Sequence, residues 1–292
     1  MEIYHKPVLL KEVIEYLDPK ENEDFIDATF GFGGHSKEIL KYNKPNGKIL
    51  GLEWDPKIVE ISKKIFMEEK RIKIRNENFK NIKRIAREEG FLKIKGVIFD
   101  LGVSSWHFEK SGRGFSFNKD EFLDMRINPD KTKLTAFEIV NYYSKDELIK
   151  IFERYGEERK AEKIADEIIK ERKIKKIETS KELSEIISKV VKRRKINPAT
   201  KTFMALRTFI NQELENLEIG LRDAFDLLKS DGRIVVISFH GLENKVIKKV
   251  FKELKKEGGE ILTKNVIKPS LKEIKENPRA RSAQLRAIRK IK

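Results

Sequence analysis

The chain has 292 residues, 39% of them hydrophobic, and a net charge of +16. This length suits one domain with an insertion, and the apolar content is sufficient to bury a core. The absence of cysteine excludes disulfides, thiolate metal sites and cysteine nucleophiles. No apolar run approaches the roughly 20 residues that cross a bilayer, and the N-terminus has no signal-peptide pattern. We therefore expect a cytoplasmic protein with no membrane partner.

The positive charge is concentrated in two segments. Residues 157–207 carry a net charge of +7 and residues 262–292 carry +8, which leaves +1 for the rest of the chain. Such segregation is typical of a surface that binds a polyanion. The alternative is a solvated basic helix face together with a basic tail.

The first third of the chain alternates between strand and helix patterns. Residues 6–17 predict an amphipathic helix that is entered through Pro7. Strand-like runs follow at residues 25–30, 48–53, 71–75 and 96–100, separated by helix-length spacers. This alternation predicts an α/β fold, with a right-handed parallel sheet and helices on both of its faces.

The alternation stops after Asp100. Residues 101–128 have no sustained period but contain interleaved aromatic residues, which favours a functional loop over a disordered one. Residues 134–194 have a helical pattern, which is interrupted near Gly156 and again before Thr179. No strand signal occurs among them. They predict an all-helical insertion.

The last third of the chain returns to the sheet. Asn197-Pro198 starts a helix, and apolar residues recur from Phe203 to Leu228 at spacings of three or four. This stripe predicts one continuous helix that ends at Asp231-Gly232. A buried strand is expected at 233–238, and two closing strands at 261–267 and 284–288.

A glycine cluster, Gly31-Phe32-Gly33-Gly34, follows the first strand. Glycine allows the backbone to approach a ligand closely, and the N–H groups of the next helix face that space. Position 36 is serine, where a dinucleotide fingerprint has its third glycine. The cluster therefore favours a nucleoside cofactor without a pyrophosphate. A tight turn formed for structural reasons is the alternative.

Two acidic residues end the second and fourth strands. Glu53 lies 20 residues after Gly33, which is the spacing at which an acid binds ribose hydroxyls. Asp100 is expected to accept from a substrate amine or from an ammonium group of the cofactor. A solvated Glu53 and a loop-capping Asp100 are the alternatives. Phe79, just past the third strand, is placed either to flank an adenine or to join the core.

Three histidines fall near the predicted cleft: His35, His107 and, after the buried strand, His240. No His-x-x-x-His or acid-flanked histidine spacing accompanies them. We therefore expect no metal.

Ordered short motifs extend over nearly the whole chain. They are His5-Lys6-Pro7-Val8-Leu9, Asp27-Ala28-Thr29-Phe30-Gly31-Phe32-Gly33-Gly34-His35-Ser36, Asp100-Leu101-Gly102-Val103-Ser104-Ser105, Arg113-Gly114-Phe115-Ser116-Phe117, Leu123-Asp124-Met125-Arg126, Tyr155-Gly156-Glu157-Glu158, Ser238-Phe239-His240 and Asn277-Pro278-Arg279-Ala280-Arg281-Ser282. With these motifs the chain resembles the RsmH (MraW) methyltransferases. That family uses S-adenosylmethionine to methylate the exocyclic N4 amine of a cytidine in the decoding region of 16S ribosomal RNA.

The resemblance implies a Rossmann-like class I methyltransferase sheet with an inserted all-helical domain. The methyltransferase domain would comprise residues 1–104 and 206–292, and residues 105–205 would form a loop and helical insertion for substrate recognition. The family's cofactor-binding positions fall on Gly33, Gly34, His35, Glu53, Phe79, Asp100 and His107. Two positions depart from the family pattern: Glu53 stands where Asp is common, and Trp106-His107 where Pro-Gln is common.

The resemblance also implies that a side chain of the site accepts the proton that the target amine loses on methylation. Many amino-methyltransferases present an Asp/Asn-Pro-Pro-aromatic tetrad, whereas this chain has Asp100-Leu101-Gly102-Val103. We expect Asp100, and secondarily His240, to be catalytic. The target base must leave its stack, and the aromatic loop 106–122 is expected to receive it. Phosphate contacts are expected from Lys192, Arg193, Arg194, Lys195, Arg279, Arg281, Arg286 and Arg289.

Three other functions are compatible with parts of the pattern. A dinucleotide-dependent dehydrogenase shares the sheet and the ribose acid, but it predicts glycine at position 36. A non-catalytic RNA-binding factor would need no ordered cofactor pocket. A methyltransferase acting on protein, DNA or another RNA would share the whole site. The expected partner is small-subunit ribosomal RNA or the assembled small subunit, and the sequence leaves the oligomeric state open.

Overall fold

The computed structural model describes residues 7–192 and 196–291. The chain divides into two compact units, one formed by residues up to 102 with residues from 214 onward, the other by residues 103–213. The predicted insertion, 105–205, lies within the second unit. Three of the predicted phosphate contacts, Arg193, Arg194 and Lys195, lie outside the described residues.

The first unit is built around a seven-stranded sheet. In chain order its strands are β1 Phe25–Asp27, β2 Ile49–Glu53, β3 Ile72–Asn76, β4 Ile94–Asp100, β5 Leu228–Ser238, β6 Gly259–Ile261 and β7 Gln284–Lys290. Their order across the sheet is β3-β2-β1-β4-β5-β7-β6. β1 to β5 are parallel, which confirms the predicted parallel sheet, and β7 runs antiparallel between β5 and β6.

Helices fill the connections between these strands and form most of the second unit. Up to residue 102 they are α1 Leu10–Leu17, α2 Gly34–Tyr42, α3 Pro56–Ile65 and α4 Ile82–Glu88. In the second unit they are α5 Ser105–Glu109, α6 Ala136–Tyr142, α7 Lys145–Gly156, α8 Ala161–Arg172, α9 Ser180–Val190 and α10 Thr200–Ile210. They are followed by α11 Glu213–Leu227, α12 Gly241–Leu254 and α13 Leu271–Glu276, and short 3-10 turns occupy 79–81, 255–257 and 278–282. Within the described ranges, no helix has both the length and the apolar character needed to cross a membrane.

The sheet is buried on both faces, as its strand sequences require. In β1, Phe25 packs into an apolar cluster with Leu17 of α1, and the next residue, Ile26, packs into a second cluster with Leu221 of α11. Successive side chains of a strand point to opposite faces, so the two clusters are the cores on either side of the sheet. Strands buried on both faces read as continuous apolar runs, which is the pattern at Val235–Ile237.

The predicted continuous helix from Phe203 to Leu228 is wrong, because two helices occupy this segment. α10 ends at Ile210 and α11 begins at Glu213, and Gln212 between them has a left-handed backbone with φ of 51°. Asn211 fixes the break within the second unit. Its side-chain amide donates to the Met125 carbonyl at 2.9 Å and accepts from the Ile127 N–H at 2.8 Å.

Three other predicted boundaries shift. The closing strand expected at 261–267 is β6, Gly259–Ile261, and Ile267 makes only an isolated antiparallel bridge to Leu285. α1 begins at Leu10 rather than near residue 6, because Leu9 has a left-handed backbone and its N–H donates to Glu273 Oε1 at 2.7 Å. The turn expected at Asp231-Gly232 is an irregularity inside β5, which already pairs with β4 at Leu228. Asp231 there has φ of 64°, as expected for the extra residues of a bulge.

The second unit contains the predicted helical block. The start signal before α9 is confirmed: Thr179 accepts from the Glu182 N–H, and the Glu182 carboxylate accepts from the Thr179 N–H. Such a reciprocal capping box satisfies two otherwise unpaired donors of the first helical turn. The loop 101–128, for which no element was predicted, contains one short helix, α5.

Candidate active site

The predicted site residues of the first unit meet at the carboxyl edge of the sheet. β1 lies between β2 and β4, so its glycine turn lies between Glu53, the last residue of β2, and Asp100, the last residue of β4. The chain leaves β1 toward β2 on one side and returns to β4 on the other. A strand-order reversal of this kind opens a crevice in which α/β proteins bind ligands.

Glu53 is held by the backbone around it. Its Oε2 accepts from the Gly31 N–H at 2.9 Å, and its Oε1 accepts from the Asp55 N–H at 2.7 Å. Burial raises the pKa of Glu53 to about 7, against the lowering effect of these two hydrogen bonds. Each carboxylate oxygen has a second lone pair, so Glu53 can accept from a ligand hydroxyl without giving up either bond.

The glycines of the turn have different roles. Gly31 has φ of 52°, and a Cβ built on it would meet only the Thr29 carbonyl oxygen, at 3.8 Å. A Cβ on Gly33 would lie 2.4 Å from the Phe66 ring and 2.8 Å from the Phe30 ring. Gly31 thus leaves open space at the crevice, which is what close approach of a ligand needs, whereas Gly33 gives close packing against two aromatic rings. A Cβ on Gly34 would lie 3.3 Å from the Pro7 ring, so this position is also closely packed.

Replacement of Gly33 by alanine is expected to destabilise the fold by about 2–4 kcal/mol, since it combines a left-handed backbone with an overpacked contact. Gly90→Ala is the matched control, because Gly90 has φ of 77° and nothing within 4 Å of its built Cβ. Backbone strain alone should cost the control about 1 kcal/mol. Urea unfolding of both variants measures the difference, and equal losses would contradict the packing role of Gly33.

A buried cluster of ionisable groups lies beside the turn. Asp27, at the end of β1, accepts from Ser36 Oγ at 2.7 Å and from the Thr29 N–H at 3.3 Å. Burial raises its pKa to about 6, an effect that nearby His35 partly opposes. His35 Nε2 in turn lies 3.5 Å from Asp100 Oδ2.

Three polar atoms of this cluster have unused hydrogen-bonding capacity. His35 Nδ1, His35 Nε2 and Asp100 Oδ1 are buried and have no hydrogen-bond partner among the described residues. Buried polar groups nearly always have a partner, so these atoms mark a position for a polar ligand or water. The Asp100 backbone is itself fixed, because its N–H donates to Thr29 Oγ1 at 2.6 Å. Asp27, Thr29 and Ser36 were not predicted as site residues, although the strand-end position of Asp27 is the same signal that marked Glu53 and Asp100.

Phe79 begins the 3-10 turn 79–81 that follows β3. Its ring makes an edge contact with Phe99 of β4, with 5.6 Å between the ring centroids. Gly220 of α11 packs against the same residue, since a Cβ on Gly220 would lie 2.9 Å from the Phe79 ring. Phe79 therefore borders the core while it remains partly exposed.

His240 caps a helix at the end of the strand next to β4. It is the N-cap of α12, where its Nδ1 accepts from the Glu243 N–H at 3.5 Å. Its Nε2 lies 3.0 Å from Glu243 Oε1, and the Glu243 carboxylate also accepts from the Phe239 N–H at 2.7 Å. The ring is thus oriented by Glu243.

His107 belongs to the second unit. It lies in α5, where its Nδ1 accepts from the Ser104 N–H at 3.1 Å. Its buried ring is 5.2 Å from that of Phe115 and 5.6 Å from that of Trp106, and the Arg113 guanidinium lies 5.5 Å from the Trp106 ring. These aromatic residues of loop 106–122 form one cluster.

The predicted phosphate contacts of the C-terminal segment differ in their surroundings. Arg279 and Arg281 are exposed in the turn 278–282. Arg289, on β7, pairs with Glu260 and Asp231. Arg286 donates from Nε to Asn244 Oδ1 at 2.7 Å. Arg279 and Arg281 are thus the more exposed pair, and Arg286 and Arg289 are half-buried with partners in the first unit.

Known proteins similar to this chain match it over its whole length. A protein of Sulfurihydrogenibium sp. is 46% identical over 295 residues, covering 99% of this chain and all of its own. A protein of Caldicellulosiruptor saccharolyticus is 45% identical over 306 residues, covering 98% of this chain and 99% of its own. Both relatives are named ribosomal RNA small subunit methyltransferase H.

Solved structures share the fold at much lower sequence identity. A candidate rRNA methylase from Clostridium thermocellum matches with a TM-score of 0.51 at 14% identity, over 98% of this chain and 99% of its own. A candidate methyltransferase from Streptococcus mutans, solved in complex with SAH, matches with a TM-score of 0.50 at 11% identity, over 98% and 99%. The predicted Rossmann-like class I methyltransferase fold is confirmed.

The family profile of the MraW methylases matches residues 2–291. This match confirms the resemblance read from the motifs, and with it a methyltransferase that takes S-adenosylmethionine as methyl donor. The dehydrogenase alternative is thereby excluded. The chain belongs to the MraW methylase family.

Proposed function

We propose that this protein transfers a methyl group from S-adenosylmethionine to the exocyclic N4 amine of a cytidine in the decoding region of small-subunit ribosomal RNA. The observation that carries the proposal is the full-length identity of 45–46% with relatives named for methylation of that RNA. The site described above is compatible with the reaction, and the basic charge of the chain is compatible with an RNA substrate.

The residues at the sheet edge fit the cofactor. Glu53 would accept from the ribose hydroxyls, and the open space at Gly31 would admit the nucleoside close to the backbone. The unpartnered atoms of His35 and Asp100 would face the polar amino-acid part of the cofactor. Phe79 would border the adenine. When bound, S-adenosylmethionine supplies an electrophilic methyl group on a sulfonium.

Asp100 has the chemistry that the acceptor amine requires. The cytosine amine is a weak nucleophile because its lone pair is delocalised into the ring. An Asp100 carboxylate that accepted from this amine would localise the lone pair and would take the proton that the amine gives up when it is methylated. A positioned general base of this kind typically contributes 100- to 10,000-fold in rate. His240 is the second candidate for this role.

The aromatic cluster of the second unit supplies what a flipped base requires. Trp106 is half-buried and offers a ring face for stacking, whereas Phe115 is buried and supports the cluster from beneath. The Arg113 guanidinium brings a positive charge beside both rings, 5.5 and 5.6 Å from their centroids. An unstacked base is held in this way by aromatic and apolar side chains in other enzymes that act on bases. We therefore assign the loop 106–122 to substrate recognition, together with the exposed Arg279 and Arg281.

The test is methylation of small subunits that lack this modification, followed by mass spectrometry of the nucleosides and of the mapped RNA fragment. We expect N4-methylcytidine at one position in the decoding region. Methyl transfer to a ring carbon, to a protein of the subunit or to another RNA region would contradict the proposal. The same assay on protein-free RNA distinguishes naked RNA from the assembled subunit as substrate.

A further inference from the structure

Three aromatic side chains form a strip on the surface of the second unit. Phe122 and Tyr142 are exposed by 49% and 59%, and Phe137 lies between them. The Phe122 and Phe137 rings are 5.4 Å apart and 31° from parallel, and the Phe137 and Tyr142 rings are 6.2 Å apart. We call Phe122, Phe137 and Tyr142 the aromatic strip. Exposure of rings this large is unusual for side chains whose only role is core packing.

A run of cations borders the aromatic strip. Arg172, Lys173, Lys175 and Lys176 follow one another with a single apolar residue among them. The Lys176 ammonium lies 4.3 Å from the centroid of the Tyr142 ring and 5.8 Å from that of Phe137, and it donates to the Tyr142 hydroxyl. Glu178 is the one acid among residues 172–178, so this segment carries a net charge of +3.

The strip and the basic segment are held together by fixed contacts. The Asn141 side chain accepts from the Ile177 N–H at 3.0 Å and donates to the Ile177 carbonyl at 2.8 Å, which ties α6 to the basic segment. Phe122 pairs with Thr179 in an antiparallel bridge. Arg172 donates to the carbonyls of Val140 and Tyr143, each at 2.8 Å. The rings therefore need little reordering to accept a partner, which favours binding.

Flat exposed rings beside a cluster of cations match the chemistry of an unpaired nucleotide. Bases stack on aromatic faces, and the neighbouring phosphates are neutralised by lysine and arginine. Protein-binding surfaces have aromatic residues too, but they are depleted in lysine. We propose that the aromatic strip binds an unpaired nucleotide of the RNA substrate by stacking, as a contact additional to the strand-end site. This inference rests on the proposed function, because it takes the substrate to be RNA.

The experiment compares full-length Tyr142→Ala and Phe122→Ala with Tyr142→Phe, which keeps the ring. Tyr42→Ala is the matched control, because Tyr42 is a tyrosine of the first unit with a similar exposure of 45%. Affinity for a fluorescent single-stranded oligouridylate is measured by anisotropy, in parallel with an oligomer of the same length without bases. We expect each alanine variant of the strip to bind oligouridylate about fivefold or more weakly, with no change for the abasic oligomer. Tyr142→Phe and Tyr42→Ala should bind as the wild type does.

Other results would overturn the inference. Equal losses of affinity for oligouridylate and for the abasic oligomer would mean that the rings hold the neighbouring cationic side chains in place and do not stack on bases. Unchanged affinity for both RNAs, combined with weaker binding to assembled subunits, would assign the aromatic strip to a protein partner. Calorimetric titration with S-adenosylmethionine and methylation of subunits by the wild type are read separately. Failure of those two measurements would count against the proposed function, whereas the oligouridylate comparison tests the strip by itself.

Discussion

Asp100→Asn is expected to lower the rate of methyl transfer by about 100-fold or more when cofactor and RNA are saturating. The substitution keeps the size of the side chain and leaves the backbone bond to Thr29 intact, so the fold should persist. An amide in place of the carboxylate can still accept a hydrogen bond, but it cannot take the proton from the substrate amine. The measurement is single-turnover transfer of a labelled methyl group to small subunits.

The size of that loss must be separated from weaker cofactor binding. Titration calorimetry of the variant with S-adenosylmethionine gives the binding change, and we expect it to be smaller than the rate change. Asp130→Asn is the control, since Asp130 is an exposed aspartate of the second unit. If Asp100→Asn kept the wild-type rate, Asp100 would not be the proton acceptor, and His240 would be assigned that role instead. If the rate at saturation were normal and only affinity fell, Asp100 would be a cofactor ligand alone.

The fold was largely predictable because its main signals are local. Strands buried on both faces give apolar runs, and helices give a period near four, so the alternation in the first hundred residues could be read directly. The break at Asn211 could not be predicted, because its cause is a pair of hydrogen bonds to Ile127 and Met125. These partners lie 84 and 86 positions earlier in the chain. α5 was missed for a different reason: its capping box is local but joins Ser104 to His107, whereas the usual signature has Glu or Gln at that position.

The site was predictable where it depends on strand ends. The carboxyl ends of parallel strands meet at one edge of the sheet, so the sequence alone placed Glu53, Asp100 and the glycine turn together. The buried Asp27–Ser36 hydrogen bond depends on how α2 returns over the end of β1, and no spacing rule encodes that path. The packing role of Gly33 was hidden as well, because the ring that fills its Cβ position belongs to Phe66, at the end of α3.

The affinity for S-adenosylmethionine is expected to fall about tenfold between pH 8 and pH 6, because burial raises the pKa of Glu53 to about 7. Ribose hydroxyls donate best to a carboxylate, and binding therefore favours the ionised form. Above pH 7 that form already predominates and no proton need be lost. Below pH 7 the Glu53 carboxyl group must lose its proton before it can accept from both ribose hydroxyls. Each further unit by which the pH falls therefore weakens the binding of the cofactor.

Glu53→Gln isolates this contribution from the other titrating groups. Asp27, whose pKa burial raises to about 6, also gains a proton near the lower end of the range and is retained in the variant. We expect Glu53→Gln to bind the cofactor roughly 30-fold more weakly at pH 8, as for loss of a hydrogen bond to a charged group. Its pH dependence between 7 and 8 should be nearly flat, since glutamine does not titrate. Glu21→Gln, at an exposed position, should keep both the affinity and the pH profile of the wild type. A Glu53→Gln profile as steep as that of the wild type would place the titrating group elsewhere, with Asp27 the first to be tested, and would remove the ribose contact from the end of β2.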